Sequence, residues 1–165
     1  MLNKLNFLSP QLKQTNKSII YGVIMFVLVI TLDQFSKYIF LNGYIYEGDF
    51  FDLYLVLNKG VSFSMFAFLG EYLKYIQIAI LVFVILFFVK NKTNFYNYFF
   101  ALMLIIPAGI SNIMDRFIHG GVVDFFAWHY GFNFAVFNLA DVFINIGIIL
   151  IFIYELFLKK GEQNG

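Results

Sequence analysis

Apolar positions along the 165 residues run together in four stretches, 18–42, 72–89, 96–117 and 138–158, separated by polar clusters. Runs of about 18 or more mostly apolar residues can cross the hydrocarbon core as helices. The pattern therefore predicts an all-α membrane protein with four transmembrane helices. Two larger connections, 43–71 and 118–137, and a short link at 90–95 join the runs. In the first of these, DLYLVLN and VSFSMF have the β-branched and aromatic content of short strands. A small β-rich loop region is thus expected over one face.

Composition fixes the solvent. With 61% hydrophobic and 13% charged residues, the chain is far from the balance of a soluble globular protein, and lipid is the expected surrounding. The first run is too long for a removable signal peptide, and no small-residue cleavage site follows it. No repeat, low-complexity tract or Pro/Gly-rich linker divides the chain, so residues 1–165 are expected to form one membrane-embedded domain. Positive residues flanking membrane helices tend to stay cytoplasmic. Lys4, Lys13 and Lys17 precede the first run, Lys90 and Lys92 follow the second, and Lys159 and Lys160 follow the fourth. Both termini are expected inside and the two larger loops, which carry Glu47, Asp49, Asp52, Glu71 and Asp124, outside.

Counting residues locates the acids. At a rise of about 1.5 Å per residue, Lys17 to Asp33 spans about 24 Å, Tyr96 to Asp115 about 28 Å and Asp141 to Lys159 about 27 Å. All three aspartates arrive near the outer boundary, and Asp124 joins them from the loop after Asp115. A polar group at that depth is costly unless it faces a polar interior.

Each has a structural and a functional reading. Asp33 and Lys37, at i and i+4, suit an intrahelical ion pair, the reading favoured over substrate contact. Asn112, Asp115 and Arg116 share a helix face and can form a charge-compensated cluster ending the third helix, again the favoured reading for Asp115. Arg116 can clamp a carboxylate or a backbone carbonyl. Asn138 can cap the fourth helix with Asp141 bonding back in a capping box, a reading that stands level with a catalytic one. Asp124 resists a structural explanation, since VVDFF surrounds it with Val and Phe and only Arg116 offers a nearby cation. A carboxylate in apolar surroundings is disfavoured as an anion, and two such groups close together share a proton. One can then act as base and the other as acid toward a water.

Other hydrolytic schemes fall away. There is no cysteine for a thiolate or disulfide, and His119 and His129 lack metal-protease spacing. Ser36 and Lys37 are adjacent on a helix and diverge, and Ser62 lacks a nucleophile elbow. A carrier would place its ionisable groups near mid-bilayer, whereas these gather at one face. The residues by themselves indicate a small four-helix membrane protein with a carboxylate cluster at its outer face, an enzyme before a carrier.

Four segments, DQFSK at 33–37, NKGVSF at 58–63, SNIMDRFIHGGVVDF at 111–125 and FNLAD at 137–141, resemble in order and spacing the signatures of the lipoprotein signal peptidases (type II signal peptidases). The intramembrane aspartyl proteases are set aside by the missing GxGD-type motif. The resemblance implies that Asp124 and Asp141 are the catalytic pair. It implies supporting or substrate-binding roles for Asp33, Lys37, Asn58, Gly60, Phe63, Asn112, Asp115, Arg116 and Asn138. Ala108 and Ser111 stand where the family often has Gly, and both still permit close helix packing.

The resemblance also implies the reaction: removal of the signal peptide from bacterial prolipoproteins immediately before a diacylglyceryl-modified cysteine, with no metal or other cofactor. The expected setting is the bacterial cytoplasmic membrane, with the site at its outer face. The expected partners are the lipid-modified substrate and membrane lipids, with no nucleic acid, and the protein is expected to be a monomer. Phe50, Phe51, Tyr54, Phe63, Phe66, Phe68, Trp128, Tyr130 and Phe132 read either as a lining for lipid chains or as interfacial anchors. The dipole at the start of the fourth helix favours Asp141 as the anion and Asp124 as the proton holder.

Overall fold

The structure, a computed structural model, describes residues 3–60, 65–90 and 98–162, with side chains described between 18 and 156 within those ranges. Four long helices and one two-stranded sheet follow in the order α1 (Asn3–Leu41), β1 (Phe51–Asn58), α2 (Tyr72–Lys90), α3 (Phe99–Ile118), β2 (Val122–Trp128) and α4 (Leu139–Glu162). The segments Ser18–Leu41, Tyr72–Lys90, Phe99–Ile118 and Leu139–Leu156 are each long and apolar enough to cross a membrane. The protein is a helical membrane protein with four such spans.

Two boundaries differ from expectation for one physical reason. Hydropathy marks where lipid begins, but backbone hydrogen bonding propagates beyond it. α1 therefore starts at Asn3, not at residue 18, and α4 continues to Glu162, past residue 158. The expected strand DLYLVLN is β1, whereas VSFSMF is not borne out as a strand at its far end, since Met65 and Phe66 lie in a turn. Residues 61–64, and Tyr96 at the expected start of the third helix, lie outside the described residues.

α3 is the central helix. Half of its apolar span is buried inside the protein, against 17% for α1, 11% for α4 and 6% for α2, so only α3 is largely withdrawn from lipid. It packs chiefly on α4 and α1, and less on α2. Apolar side chains gain nothing by leaving lipid for one another, so close backbone approach through small residues has to supply the packing. Ala101, Ala108 and Ser111 are buried on α3. Gly147 on α4 meets this surface: a Cβ there would lie 2.5 Å from Ile105 Cγ1 and 3.0 Å from the Ala101 carbonyl oxygen. At the far end of the bundle the Tyr98 hydroxyl donates to the Glu155 carboxylate, and its ring meets Phe88 and Tyr154 edge-on at 5.5 and 5.3 Å.

β1 and β2 pair antiparallel, with register running from Phe51↔Trp128 to Asn58↔Val122 and an irregularity between Leu53 and Val56. β2 occupies what the sequence reads as loop. Val122, Val123, Asp124, Phe125 and Ala127 are all buried, so the strand shows no polar-apolar alternation. Phe125 stacks on Phe40 of α1 at 4.2 Å, which seats the sheet against the helix end. Phe137 bridges to Phe126 and brings the chain back from the sheet to the start of α4.

Gly147→Val should lower the thermal unfolding temperature in detergent, because the contact with Ala101 is to backbone and overpacking of this kind costs about 1 to 3 kcal/mol. Unfolding of wild type and variant side by side measures it, and an unchanged midpoint would refute the close packing.

Candidate active site

The sheet end of the bundle holds a continuous polar network. Its centre is Lys37, buried, whose ammonium meets Asp33 Oδ2 at 2.6 Å, Asp115 Oδ2 at 2.7 Å and Asn112 Oδ1 at 2.8 Å. Three acceptors match the three N–H groups of a lysine. The other oxygens are also occupied. Asp33 Oδ1 accepts the Ala140 backbone N–H at 2.7 Å, and Asp33 Oδ2 accepts the Ser111 hydroxyl at 2.7 Å. Asp115 Oδ1 accepts Gln34 Nε2 at 2.8 Å, and Asp115 Oδ2 accepts the Val123 N–H at 3.1 Å. α1, α3, β2 and α4 are thereby fastened at one point.

The start of α4 uses two devices to satisfy N–H groups left free at a helix beginning. One is Asp33, reaching across from α1. The other is a reciprocal capping box: Asn138 Oδ1 accepts the Asp141 N–H at 2.9 Å, and Asp141 Oδ2 accepts the Asn138 N–H at 3.2 Å. Asn138 also presents its amide to Asp124 Oδ1 at 2.7 Å, while Asn58 Nδ2 donates to Asp124 Oδ2 at 2.9 Å. Asn112 Nδ2 donates to Asp141 Oδ1 at 3.1 Å. Three asparagines thus hold the two aspartates.

Asp124 and Asp141 both line a cavity of about 470 Å³, with Asn58, Asn112 and Arg116 at its polar end and Ile146 and Ile149 further along α4. Burial pushes the Asp124 carboxyl up to about 7 from 3.8, helped by the nearby charge of Asp141 and opposed by the amides of Asn58 and Asn138. Asp124 therefore holds a proton at a pH where a surface aspartate has lost it.

The family model described as signal peptidase (SPase) II matches residues 25–157. The chain belongs to the signal peptidase II family. It is 42% identical over 152 residues to the lipoprotein signal peptidase of Helicobacter pylori (strain Shi470), covering 92% of this chain and 97% of that protein. It is 47% identical over 136 residues to that of Wolinella succinogenes, covering 82% and 92%. Two solved bacterial membrane enzymes, determined by the in meso method at 2.3 and 1.9 Å, superpose with TM-scores of 0.74 and 0.70 at 28% and 29% identity. They cover 88% and 82% of this chain and 92% of each neighbour. The protein is a multi-pass bacterial membrane peptidase.

Of the residues expected at the signal peptidase II site, Asp33, Lys37, Asn58, Asn112, Asp115, Asp124, Asn138 and Asp141 converge on this network. Phe63 lies outside the described residues. The Asn112–Asp115–Arg116 cluster does not form as expected. Positions three and four apart diverge to either side of a helix face, so Asp115 turns to Lys37 of α1, whereas Arg116 turns toward α2. There Arg116 Nε donates to Gln77 Oε1 at 2.7 Å and its Nη2 donates to the Gly60 carbonyl, the clamp to backbone that a guanidinium suits. Gly60 N–H is held in turn by Asn58 Oδ1 at 3.0 Å. For Asp141 the capping box and a place on the cavity coexist.

Three residues outside the expected set complete the site. Gln34 donates to Ser111 Oγ at 2.8 Å as well as to Asp115, Ser111 reaches Asp33, and Gln77 holds Arg116. A glutamine inside an apolar run is the signal that could have found Gln34 and Gln77, since such an amide needs a partner at membrane depth.

Lys37→Met should destabilise the protein by about 3 to 5 kcal/mol, because it strands two buried carboxylates. Adding Asp33→Asn should recover part of that loss. Thermal unfolding in detergent reads both, and a Lys37→Met protein as stable as wild type would contradict the central place given to this ammonium.

Proposed function

We propose that the protein removes the signal peptide from bacterial prolipoproteins, cutting immediately before the diacylglyceryl-modified cysteine, with Asp124 and Asp141 acting on one water. The observation that carries this reading is that the two carboxylates open on one cavity at the sheet end of the bundle, each held by asparagine amides. Among the described residues, neither is in an ion pair with Lys or Arg. The other two carboxylates of the network, Asp33 and Asp115, have their charge answered by Lys37.

Asp141 is the base. It sits in the first turn of α4, where donors from Asn138 and Asn112 meet its two oxygens and fix their orientation. It takes a proton from the water, whose oxygen bonds to the carbonyl carbon preceding the modified cysteine. Asp124, protonated, gives its proton to the carbonyl oxygen as the tetrahedral intermediate forms and recovers it on collapse. The C–N bond breaks, and the proton held by Asp141 passes to the departing amine. No step calls on a metal or organic cofactor. Asn58, Gly60 and Arg116 form the brace that holds Asp124 in register, and Phe63 keeps the substrate-binding or supporting role that the family resemblance implies.

The apolar end of the cavity, toward Ile146 and Ile149, suits a substrate anchored by lipid and a signal helix. Exposed aromatic residues near the sheet, among them Phe68, Tyr130 and Phe132, support contact with membrane lipid on the same side. The lysine distribution supports cytoplasmic termini and an outward-facing site. Residues 1–165 act as one domain, and one chain suffices, because both aspartates come from it.

Purified protein in detergent should cut a synthetic diacylglyceryl-modified lipobox peptide before the modified cysteine. Asp124→Asn and Asp141→Asn should each lower kcat by about 10³-fold or more while still folding. Folded wild type that leaves the peptide intact would sink the reading.

The pH profile of kcat/KM should fall above about 7, because loss of the Asp124 proton removes the acid. The stability effect has the matching sign. A carboxyl raised from 3.8 to about 7 keeps in the folded state a proton that the unfolded chain has released, so its contribution to stability declines as pH rises through that interval. A rate that holds level to pH 9 would remove Asp124 from the acid role.

A further inference from the structure

A second cavity, of about 600 Å³, adjoins the first. Phe134 and Val136 line both, so the segment leading from the sheet to α4 is the common wall. The first cavity runs from the aspartates toward Ile149 in the α4 span, whereas the second is lined by residues of the loop region alone, including Glu47, Asp52, His129 and Asn133. Its walls carry two acids. Asp52 Oδ1 accepts the Gly48 N–H at 3.1 Å and lies 3.3 Å from His129 Nε2, while Glu47 is exposed. Among the described residues, the side chains lining this cavity include no Lys or Arg.

We infer that this second cavity receives the residues of the mature chain that follow the lipid-modified cysteine, and selects for basic side chains there. The inference rests on the reading above. A peptide cut at the aspartates is anchored on both sides of the bond, by the signal helix before it and by the lipid of the cysteine after it. These apolar parts take the apolar end of the first cavity, and only the chain beyond the cysteine is free. Past Phe134 and Val136, that stretch meets the second cavity, which adjoins the site on the loop side. An extended chain advances about 3.3 Å per residue, so a few residues cross that wall. Beyond it, Glu47 and Asp52 offer acceptors to Lys or Arg and repel Asp or Glu, a discrimination built as much on repulsion as on attraction.

The test uses full-length protein in detergent and three diacylglyceryl-modified lipobox peptides that differ only at positions three to five after the cysteine, bearing Lys, Gln or Glu. Wild type should rank them Lys over Gln over Glu in kcat/KM, with about tenfold between the extremes at low salt, narrowing as salt screens the charges. Glu47→Lys, at an exposed position, should bring the Lys-to-Glu ratio to one or below, and Asp52→Asn should reduce it. Should Asp52→Asn fail to fold, Glu47→Lys carries the test alone. Equal cleavage of the three peptides by wild type, or a ratio untouched by Glu47→Lys, overturns the inference while leaving the proposed function intact. Cleavage of none of them overturns both.

Discussion

A lysine ammonium withdrawn from water is stable only if every N–H finds an acceptor and its charge is answered. Lys37 meets both conditions through Asp33, Asp115 and Asn112, and in doing so it takes one partner from its own helix and two from α3. Each partner has a second task. Asp33 caps α4 through Ala140, Asp115 holds β2 through Val123, and Asn112 reaches Asp141. The arrangement of the pair Asp124 and Asp141 therefore follows from one buried cation. Without it, the carboxylates that place α4 and β2 would repel each other.

Charge balance explains why the pair can hold a proton. The network contains four carboxylates, Asp33, Asp115, Asp124 and Asp141, against two cations, Lys37 and Arg116. Lys37 is committed to the first two acids and Arg116 to the Gly60 carbonyl and Gln77. Asp124 is left to neutral amides in a buried position, which is why its carboxyl titrates near 7. Drawing Arg116 off to backbone matters to this balance, because a guanidinium forked onto Asp124 would favour its anion.

The helices were legible because lipid exposure demands long apolar runs, and depth was legible because helical rise converts residue counts into distance. Asp124 stood out because VVDFF offers a carboxylate no partner of its own. β2 was hidden by the same residues. A strand buried on both faces does not alternate, and VVDFFAW carries no turn punctuation to mark it. The partner of Asp115 was hidden for a different reason. Local spacing proposes Arg116, but Lys37 lies far away along the chain, and only the packing of α1 on α3 through small residues brings it near. The interhelical bonds of Gln34 and Ser111 share that origin. Membrane-depth polarity announces that a partner exists, while the identity of the partner is a property of the fold.

The capping box at Asn138 and Asp141 shows why the structural and chemical readings of one residue need not compete. A cap fixes the Asp141 carboxylate with two donors, yet each carboxylate oxygen has a further lone pair, and the residue still lines the cavity. The same bonds that start α4 thus hold this carboxylate in a single orientation. Asn138 extends this to Asp124 by spending its amide on the neighbouring acid while its carbonyl oxygen caps the helix. Both acids are thereby held by amide donors on the lining of one cavity. Because the cavity then passes from these acids to isoleucines of α4, it suits the proposed substrate, a peptide that carries apolar bulk, whereas a freely soluble peptide would leave its apolar half unfilled.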